Sequence, residues 1–235
     1  MTTEDGRRVA IVTGGASGIG RATAAGLEAA GASVAVFDRT GDSPVDVSDA
    51  TAVEAAVGEV RRRLGPVDIL VNAAGIAAMA DLEDPHYLDV WDQALAVNLR
   101  GTLHTVRACL SDLLASDAGR IVNIASTEAL GSGRTGGPYV VSKHAVVGLT
   151  RSLAVDLGRR GVTANCVCPG ATLTAMTAPI PEDARVAFGR RNVPVGRYGR
   201  AEEVAYMVVA LTAPEASFVN GAVIPVDGRM TAMSR

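Results

Sequence analysis

Short runs of β-branched and other apolar residues alternate along the chain with longer segments of helical periodicity. The apolar runs lie at 8–13, 33–38, 68–75, 120–126, 162–167 and 222–227. The helical segments lie at about 18–30, 51–64, 88–115, 138–159 and 201–212. Because the runs are apolar on both faces, they are typical of buried parallel strands. The alternation therefore predicts an α/β fold with a doubly wound parallel sheet that helices cover on both faces.

The composition gives no sign of a domain boundary. The chain has 235 residues, 48% of them hydrophobic, which suits one domain with a sizeable core or two small ones. Because no linker, repeat or low-complexity run interrupts it, we expect residues 1–235 to form a single domain. The segment 171–200 has no clear period and is rich in Pro, Gly and Arg. It follows a strand end, where such folds place loops that carry function, so we expect a mobile substrate lid there.

One connection is too short for a regular helix. Only seven residues, 39–45, separate Asp38, which ends the second predicted strand, from Asp46. A crossover between parallel strands needs about a dozen residues. We therefore predict a truncated crossover after the second strand, with at most a stub of strand near Val45 and Val47 and a trimmed sheet edge.

Charge and composition argue against several classes of partner. The formal net charge is −3, so no overall field attracts nucleic acid or anionic lipid. No apolar run reaches the roughly 18 residues of a membrane span. Cys166 and Cys168 alternate with a valine and are interpreted as core thiols, and the three histidines lack metal-ligand spacing. We expect a cytoplasmic protein with no nucleic-acid, membrane or metal partner.

A glycine-rich turn, "VTGGASGIGRA" at 12–22, follows the first predicted strand and opens the first helix. Its glycines permit a tight turn and close approach of backbone amides to a pyrophosphate at the helix N-terminus. Asp38 ends the second strand, where a carboxylate can accept hydrogen bonds from a ribose and repel a 2′-phosphate. The neighbouring Arg39 could offset part of that repulsion. The pattern favours NAD(H) over NADP(H), bound by Gly14, Ser17, Gly18, Ile19, Gly20, Asp38 and Arg39.

Tyr139 and Lys143 are spaced to lie on one face of a helix that Pro138 could open. Oxidation of a carbinol needs a group that accepts a proton near neutrality, and a tyrosine with a pKa of about 10 is too weak a base. A nearby ammonium and an oxidised nicotinamide ring would lower that pKa. Ser126, at a strand end, is placed to hydrogen-bond the substrate oxygen. Taken singly, the tyrosine–lysine pair is also typical of ordinary neighbours on a helix surface, and a serine at a strand end is also typical of a cap.

Together these residues resemble the short-chain dehydrogenase/reductase family. Six motifs occur in the family's order over nearly the whole chain: "TGGASGIG" (13–20), "NAAG" (72–75), Asn98 in "AVNLRG", Ser126 in "NIAST", "YVVSK" (139–143) and "PGATLT" (169–174). The resemblance is to the compact branch of the family. It implies a single Rossmann-type domain that binds a dinucleotide and catalyses alcohol oxidation or ketone reduction, usually as a homotetramer.

The resemblance also assigns roles that the residues alone do not. It implies that Tyr139 is the general acid/base, that Lys143 also holds the nicotinamide ribose, and that Asn98 holds a water for proton relay. The other cofactor contacts that it implies are Asp46 and Val47 at the adenine, Asn72, Ala73 and Gly75 at the adenosine ribose and phosphate, and Pro169, Gly170, Thr172 and Thr174 at the nicotinamide.

The segment 176–205 resembles the lid of the β-ketoacyl-carrier-protein reductases. Two positions differ from those enzymes, which usually use NADPH and dock an acidic carrier on two arginines. Asp38 opposes NADPH, and Asp117 stands where the first arginine is expected, although Arg160 matches the second. We therefore favour an NAD-dependent dehydrogenase of a small or medium secondary alcohol or its ketone. A reductase that uses NADP(H) is the first alternative.

A second alternative is a non-catalytic NAD(H)-binding regulator, which would have no need of Asn98, Ser126, Tyr139 and Lys143 together. A third alternative is a structural scaffold, which would bind no nucleotide.

The expected substrate pocket holds Ser126 with Glu128, Arg134, Met79 and Met176. Glu128 is either a ligand of a polar substrate group or a loop acid facing solvent.

Helices near 88–115 and 138–159 are apolar on more than one face, which favours an oligomer.

Overall fold

The computed structural model describes residues 6–41, 43–133 and 136–232. Its centre is a six-stranded parallel sheet with the order β2-β1-β3-β4-β5-β8. The strands of this sheet are β1 Val9–Thr13, β2 Ser33–Phe37, β3 Val67–Asn72, β4 Arg120–Ile124, β5 Thr163–Pro169 and β8 Val223–Val226. The doubly wound α/β fold of the Rossmann type is confirmed, with all six predicted strands in place.

Helices cover both faces of the sheet. They are α1 Gly18–Ala29, α2 Ala50–Arg63, α3 Tyr87–Ala94, α4 Gly101–Ala115, α5 Gly137–Gly158, α6 Glu182–Asn192 and α7 Ala201–Thr212. Along β1, Val9 and Ile11 pack with α2, α4 and α5, whereas Ala10 and Val12 pack with α1 and α7. Because side chains alternate between faces along a strand, a continuously apolar strand supplies both layers of the core.

The helix between the third and fourth predicted strands contains an irregularity. A single helix was predicted over 88–115, but α3 and α4 are joined by a π-helix, Leu95–Arg100. Its wider turn carries Asn98, which is 1% exposed. Such π-turns often occur at functional sites.

The truncated crossover is confirmed. Among the described residues between β2 and α2, no strand forms, and β2 is the edge of the sheet. The amide of Val45 donates to the carbonyl oxygen of Asp38 at 2.7 Å, which turns the chain back towards α2. The side chain of Asp49 then caps α2 by accepting from the amides of Thr51 and Ala52.

The segment 171–200 folds over the carboxyl edge of the sheet. It contains β6 Thr172–Leu173, β7 Gly199–Arg200 and, between them, α6. The strands β6 and β7 pair with each other in a separate two-stranded sheet. The helix α6 was not predicted because it is mostly exposed and therefore has no apolar stripe for periodicity to reveal. None of the helices in the described ranges is long and apolar enough to cross a membrane.

A matched pair of leucines on α4 tests the core. Leu113 is fully buried, whereas Leu103 is 38% exposed. We expect Leu113→Ala to lower the free energy of unfolding by about 2–5 kcal/mol, because it removes buried methyl groups and leaves a cavity. Leu103→Ala should cost less than about 1 kcal/mol. Urea denaturation followed by circular dichroism measures both, and equal losses would contradict the packing described for α4.

Candidate active site

A cleft of about 630 Å³ lies at the carboxyl ends of the strands. The sheet order reverses between β1 and β3, where parallel α/β sheets hold their ligands. Twenty-one of the residues predicted for the site line this cleft: Gly14, Ser17, Gly18, Ile19, Gly20, Asp38, Arg39, Asp46, Val47, Ala73, Gly75, Met79, Ser126, Glu128, Tyr139, Lys143, Pro169, Gly170, Thr172, Thr174 and Met176. Asn72 and Asn98 are buried and do not line it.

The glycine turn after β1 leaves room for a phosphate group at the N-terminus of α1. Gly14 and Gly18 have φ values of 66° and 51°, in the left-handed region that favours glycine. A Cβ on Gly14 would lie 2.8 Å from the backbone of Ala74, and one on Gly20 would overlap the carbonyl oxygen of Gly14. The turn therefore brings backbone amides and the positive end of the helix dipole to one side of the cleft.

The carboxylate of Asp38 lies beside this turn. Its Oδ2 accepts from the amide of Ala16 at 3.1 Å, and its Oδ1 accepts from the amide and hydroxyl of Thr40 at 3.1 and 3.0 Å. Partial burial raises the pKa of Asp38, but these hydrogen bonds to the charged form outweigh it, so the pKa is lowered overall. Asp38 thus presents a negative charge where a ribose would follow the phosphates.

Tyr139 and Lys143 lie on the first turns of α5, which Pro138 helps to start. The ammonium Nζ of Lys143 donates to the carbonyl oxygen of Ile124 at 2.9 Å and lies 5.7 Å from the centroid of the Tyr139 ring. That hydrogen bond fixes the start of α5 against the end of β4. Ser126 follows the same strand end, and its hydroxyl lies close enough to Tyr139 to lower the pKa of the phenol.

The expected lowering of the Tyr139 pKa by Lys143 is not observed. Burial raises the pKa of Tyr139, and the hydrogen bond from Ser126 offsets only part of that rise. Burial also lowers the pKa of Lys143 to about 8, which weakens the cation that was expected to stabilise a phenolate. The prediction combined the ammonium with an oxidised nicotinamide ring and stays a prediction for that bound state; it did not include the desolvation of both groups.

Asn98 has a structural task that the sequence did not indicate. Its Oδ1 accepts from the amide of Ile76 at 2.8 Å, and its Nδ2 donates to the carbonyl oxygen of Ile76 at 3.1 Å and to the hydroxyl of Ser142 at 2.9 Å. The side chain therefore joins the loop after β3 to α5. Its backbone carbonyl accepts from the hydroxyl of Thr102 at 2.9 Å.

Asn72, predicted as a cofactor contact, has its side chain in a chain of buried polar groups between the sheet and the helices α4 and α5. Its Oδ1 accepts from the hydroxyl of Thr105, and its Nδ2 donates at 2.9 Å to Asn123, which donates onward to Thr150. These bonds connect α4, β3, β4 and α5. Buried amides of this kind need partners, and α4, β4 and α5 supply them.

Several lining residues were not predicted. They are Phe37, Val45, Ala74, Ile76, Ala77, Val97, Ile124, Ala125, Thr127, Ala171, Ala175, Thr177, Ile180, Phe188, Tyr198 and Met230. Phe188 and Tyr198, both from the segment 171–200, pack edge to face with ring centroids 5.8 Å apart. Aromatic residues make up only 3% of the chain, so the presence of two in this segment could have indicated that it lines the cleft. Most of the others are small or apolar and have no chemical signature.

Met79, Met176 and Glu128, which were predicted for the substrate pocket, line the cleft. The Glu128 carboxylate accepts from the amide of Gly133 at 2.7 Å and so fixes the loop before α5. Its charge also raises the pKa of Tyr139. Arg134, predicted for the same pocket, lies outside the described residues. No group of His, Cys, Asp and Glu side chains in the described ranges is arranged to hold a metal ion.

Comparison with known proteins identifies the class. A family model described as enoyl-(acyl carrier protein) reductase matches residues 14–231. The chain is 36% identical to meso-2,3-butanediol dehydrogenase of Serratia marcescens, over 96% of this chain and 95% of the relative. It therefore belongs to the short-chain dehydrogenase/reductase family, as the sequence motifs predicted.

Two further relatives differ in their cofactor. The chain is 36% identical to 2-dehydro-3-deoxy-L-rhamnonate dehydrogenase (NAD(+)) of a Sphingomonas strain, over 95% of each chain. A gluconate 5-dehydrogenase of Burkholderia cenocepacia, solved with NADP and tartrate, superposes with a TM-score of 0.89 at 32% identity, over 97% of this chain and 96% of that one. The chain is thus an oxidoreductase that acts on an alcohol or ketone with a nicotinamide cofactor.

The ionisation of Lys143 can be measured directly, because it is the only lysine in the chain. Protein labelled with ¹³C at the lysine ε-carbon should give one side-chain resonance with a titration midpoint near pH 8, since burial disfavours the ammonium. The same protein unfolded in urea is the control and should titrate near the ordinary value of 10.5. A folded-state midpoint at that ordinary value would contradict the burial of Nζ.

Proposed function

We propose that this chain is an NAD-dependent dehydrogenase of a small or medium secondary alcohol, with Tyr139 as the general acid/base. The observation that carries the proposal is that Ser126, Tyr139 and Lys143 line the same cleft as the glycine turn and Asp38. A proton-handling group and a dinucleotide cradle in one cleft are the two parts that hydride transfer to a nicotinamide requires.

The described residues fit a dinucleotide in one orientation. The glycine turn and the N-terminus of α1 would hold the pyrophosphate, and Asp38 would accept the hydroxyls of the adenosine ribose. The nicotinamide would then lie at the other end of the cleft, between Tyr139 and the Pro169–Thr172 turn, both of which line it. A bound nicotinamide supplies the hydride acceptor for the oxidation.

The side chains around the carbinol supply the proton transfer. Ser126 would donate a hydrogen bond to the substrate oxygen, and Tyr139 would accept the hydroxyl proton as hydride leaves the carbon. Burial raises the pKa of Tyr139 when no cofactor is bound, so a positively charged nicotinamide in contact with the cleft would favour the phenolate. Lys143, with a pKa of about 8, is suited to pass the proton on near neutral pH.

The charge of Asp38 supports NAD as the cofactor. The 2′-position of the adenosine ribose would face this carboxylate, whose pKa is lowered by its hydrogen bonds and which therefore stays ionised. A 2′-phosphate placed there would meet a like charge in a partly dry cleft. Arg39 also lines this end of the cleft and is the one residue beside Asp38 that could attract the phosphate.

A panel of secondary alcohols, diols and 3-hydroxyacyl thioesters, offered with NAD⁺ and with NADP⁺, tests the proposal. We expect a secondary alcohol to reduce NAD⁺, and Tyr139→Phe to lower kcat by about a hundredfold or more, because the general base is lost. Binding of NADH, followed by fluorescence, should be nearly unchanged in this variant, which shows that it is folded.

Two outcomes would replace the proposal. Activity confined to the acyl thioesters, with NADP⁺ preferred, would establish the carrier-protein reductase, which the lid segment and Arg160 resemble. Saturable NADH binding without turnover of any compound would establish a binding protein. Full activity in Tyr139→Phe would remove this residue from the acid/base role.

The role of Asp38 is tested by Asp38→Asn, which keeps an oxygen for the amide of Ala16 and removes the charge. We expect the ratio of kcat/KM for NADP⁺ to that for NAD⁺ to rise by about tenfold or more, because the repulsion of the 2′-phosphate is removed. Asp46→Asn is the matched control, since Asp46 lines the same end of the cleft and its Oδ1 is held by Ser48. An equal change in both variants would show that the position of Asp38 is not decisive.

A further inference from the structure

The connection between β2 and α2 forms one end of the cleft without the support of a strand. Val45, Asp46 and Val47 all line the cleft, and Val45 and Val47 are buried. The polar bonds of this connection are mainly internal: the amide of Val45 donates to Asp38, and Asp46 accepts from Ser48. Such a segment keeps its position only through its contacts with the rest of the chain.

The helix α4 provides that support at two successive turns. A Cβ on Gly101 would lie 2.7 Å from a methyl carbon of Val47, so the segment rests directly on the helix backbone. His104, one turn further on, has Nδ1 at 3.0 Å from the carbonyl oxygen of Val47. Because a carbonyl oxygen only accepts, Nδ1 carries the proton and donates it. This side-chain hydrogen bond links the connection to α4.

The base of the dinucleotide would lie against this segment. If the pyrophosphate is at the N-terminus of α1 and the ribose at Asp38, the adenine comes next in the direction away from Tyr139. The cleft residues in that direction are Arg39, Val45, Asp46 and Val47. The position of the Val47 backbone therefore sets the width of the space that is left for the base.

We propose that His104 is a positioning residue for the adenine-binding wall of the cleft, acting through its hydrogen bond to the carbonyl of Val47. This hydrogen bond holds the segment in place, as the hydrogen bonds of a sheet would if the segment formed a strand. The proposal rests on the proposed function, because it requires a dinucleotide in the cleft. His104 does not line the cleft, so its effect is on cofactor affinity and not on the transfer of hydride.

The test compares two substitutions at this position. His104→Leu removes the donor and keeps an apolar side chain, whereas His104→Asn places an amide Nδ2 close to where Nδ1 lies and restores the donor. His86→Leu is the control for loss of an imidazole, since His86 is exposed on the loop before α3. Affinities for NADH and for ADP-ribose, which has the adenine but not the nicotinamide, are measured by titration, together with KM for NAD⁺ and kcat.

We expect His104→Leu to weaken NADH and ADP-ribose by the same factor, about three- to tenfold, because one net hydrogen bond holds the wall. KM for NAD⁺ should rise with kcat unchanged, and His104→Asn should recover most of the affinity. Unchanged affinity in His104→Leu, no recovery in His104→Asn, or a loss for NADH without a loss for ADP-ribose would overturn the proposal. If wild-type protein binds neither ligand, the proposed function itself has failed.

Discussion

The bond from the Lys143 ammonium to the carbonyl oxygen of Ile124 is the contact on which the site depends. At 2.9 Å it joins the first turns of α5 to the end of β4, and Ser126 follows that strand end two residues later. Because Tyr139 lies one turn before Lys143 on the same helix face, one bond fixes the relative positions of three reactive side chains. The burial that makes this arrangement rigid also changes its chemistry, since it raises the pKa of Tyr139 and lowers that of Lys143.

A second layer of polar contacts supports the first between the sheet and the helices α4 and α5. Asn98 ties the loop after β3 to α5, while Asn72 and Asn123 form a chain of amides between α4 and α5. Buried amides are costly unless all their partners are present, so these contacts specify one arrangement of helices around the cleft. Ser126, Tyr139 and Lys143 thus lie on elements whose positions are fixed by hydrogen bonds as well as by apolar packing.

The positions of the strands along the chain, the helices with an apolar stripe and the side chains that line the cleft together could all be predicted from the sequence. Periodicity reveals elements that bury one face, which is why α5 was placed to within a residue and the mostly exposed α6 was not predicted. Residue identity locates a tyrosine and a lysine but not their desolvation, which depends on packing distant in sequence. For the same reason nothing in the sequence showed that the Asn72 side chain bonds to Asn123 and Thr105, or that His104 reaches Val47.

The central claim is that hydride passes directly between a carbinol carbon and the nicotinamide in this one cleft. It is tested most directly with a secondary alcohol that carries deuterium on its carbinol carbon, offered with NAD⁺, followed by mass spectrometry of the reduced cofactor. Direct transfer predicts one deuterium in each molecule of NADH formed, in H₂O and in D₂O alike. NADH without the label, or label that exchanges with solvent, would contradict direct transfer and with it the function assigned to the cleft.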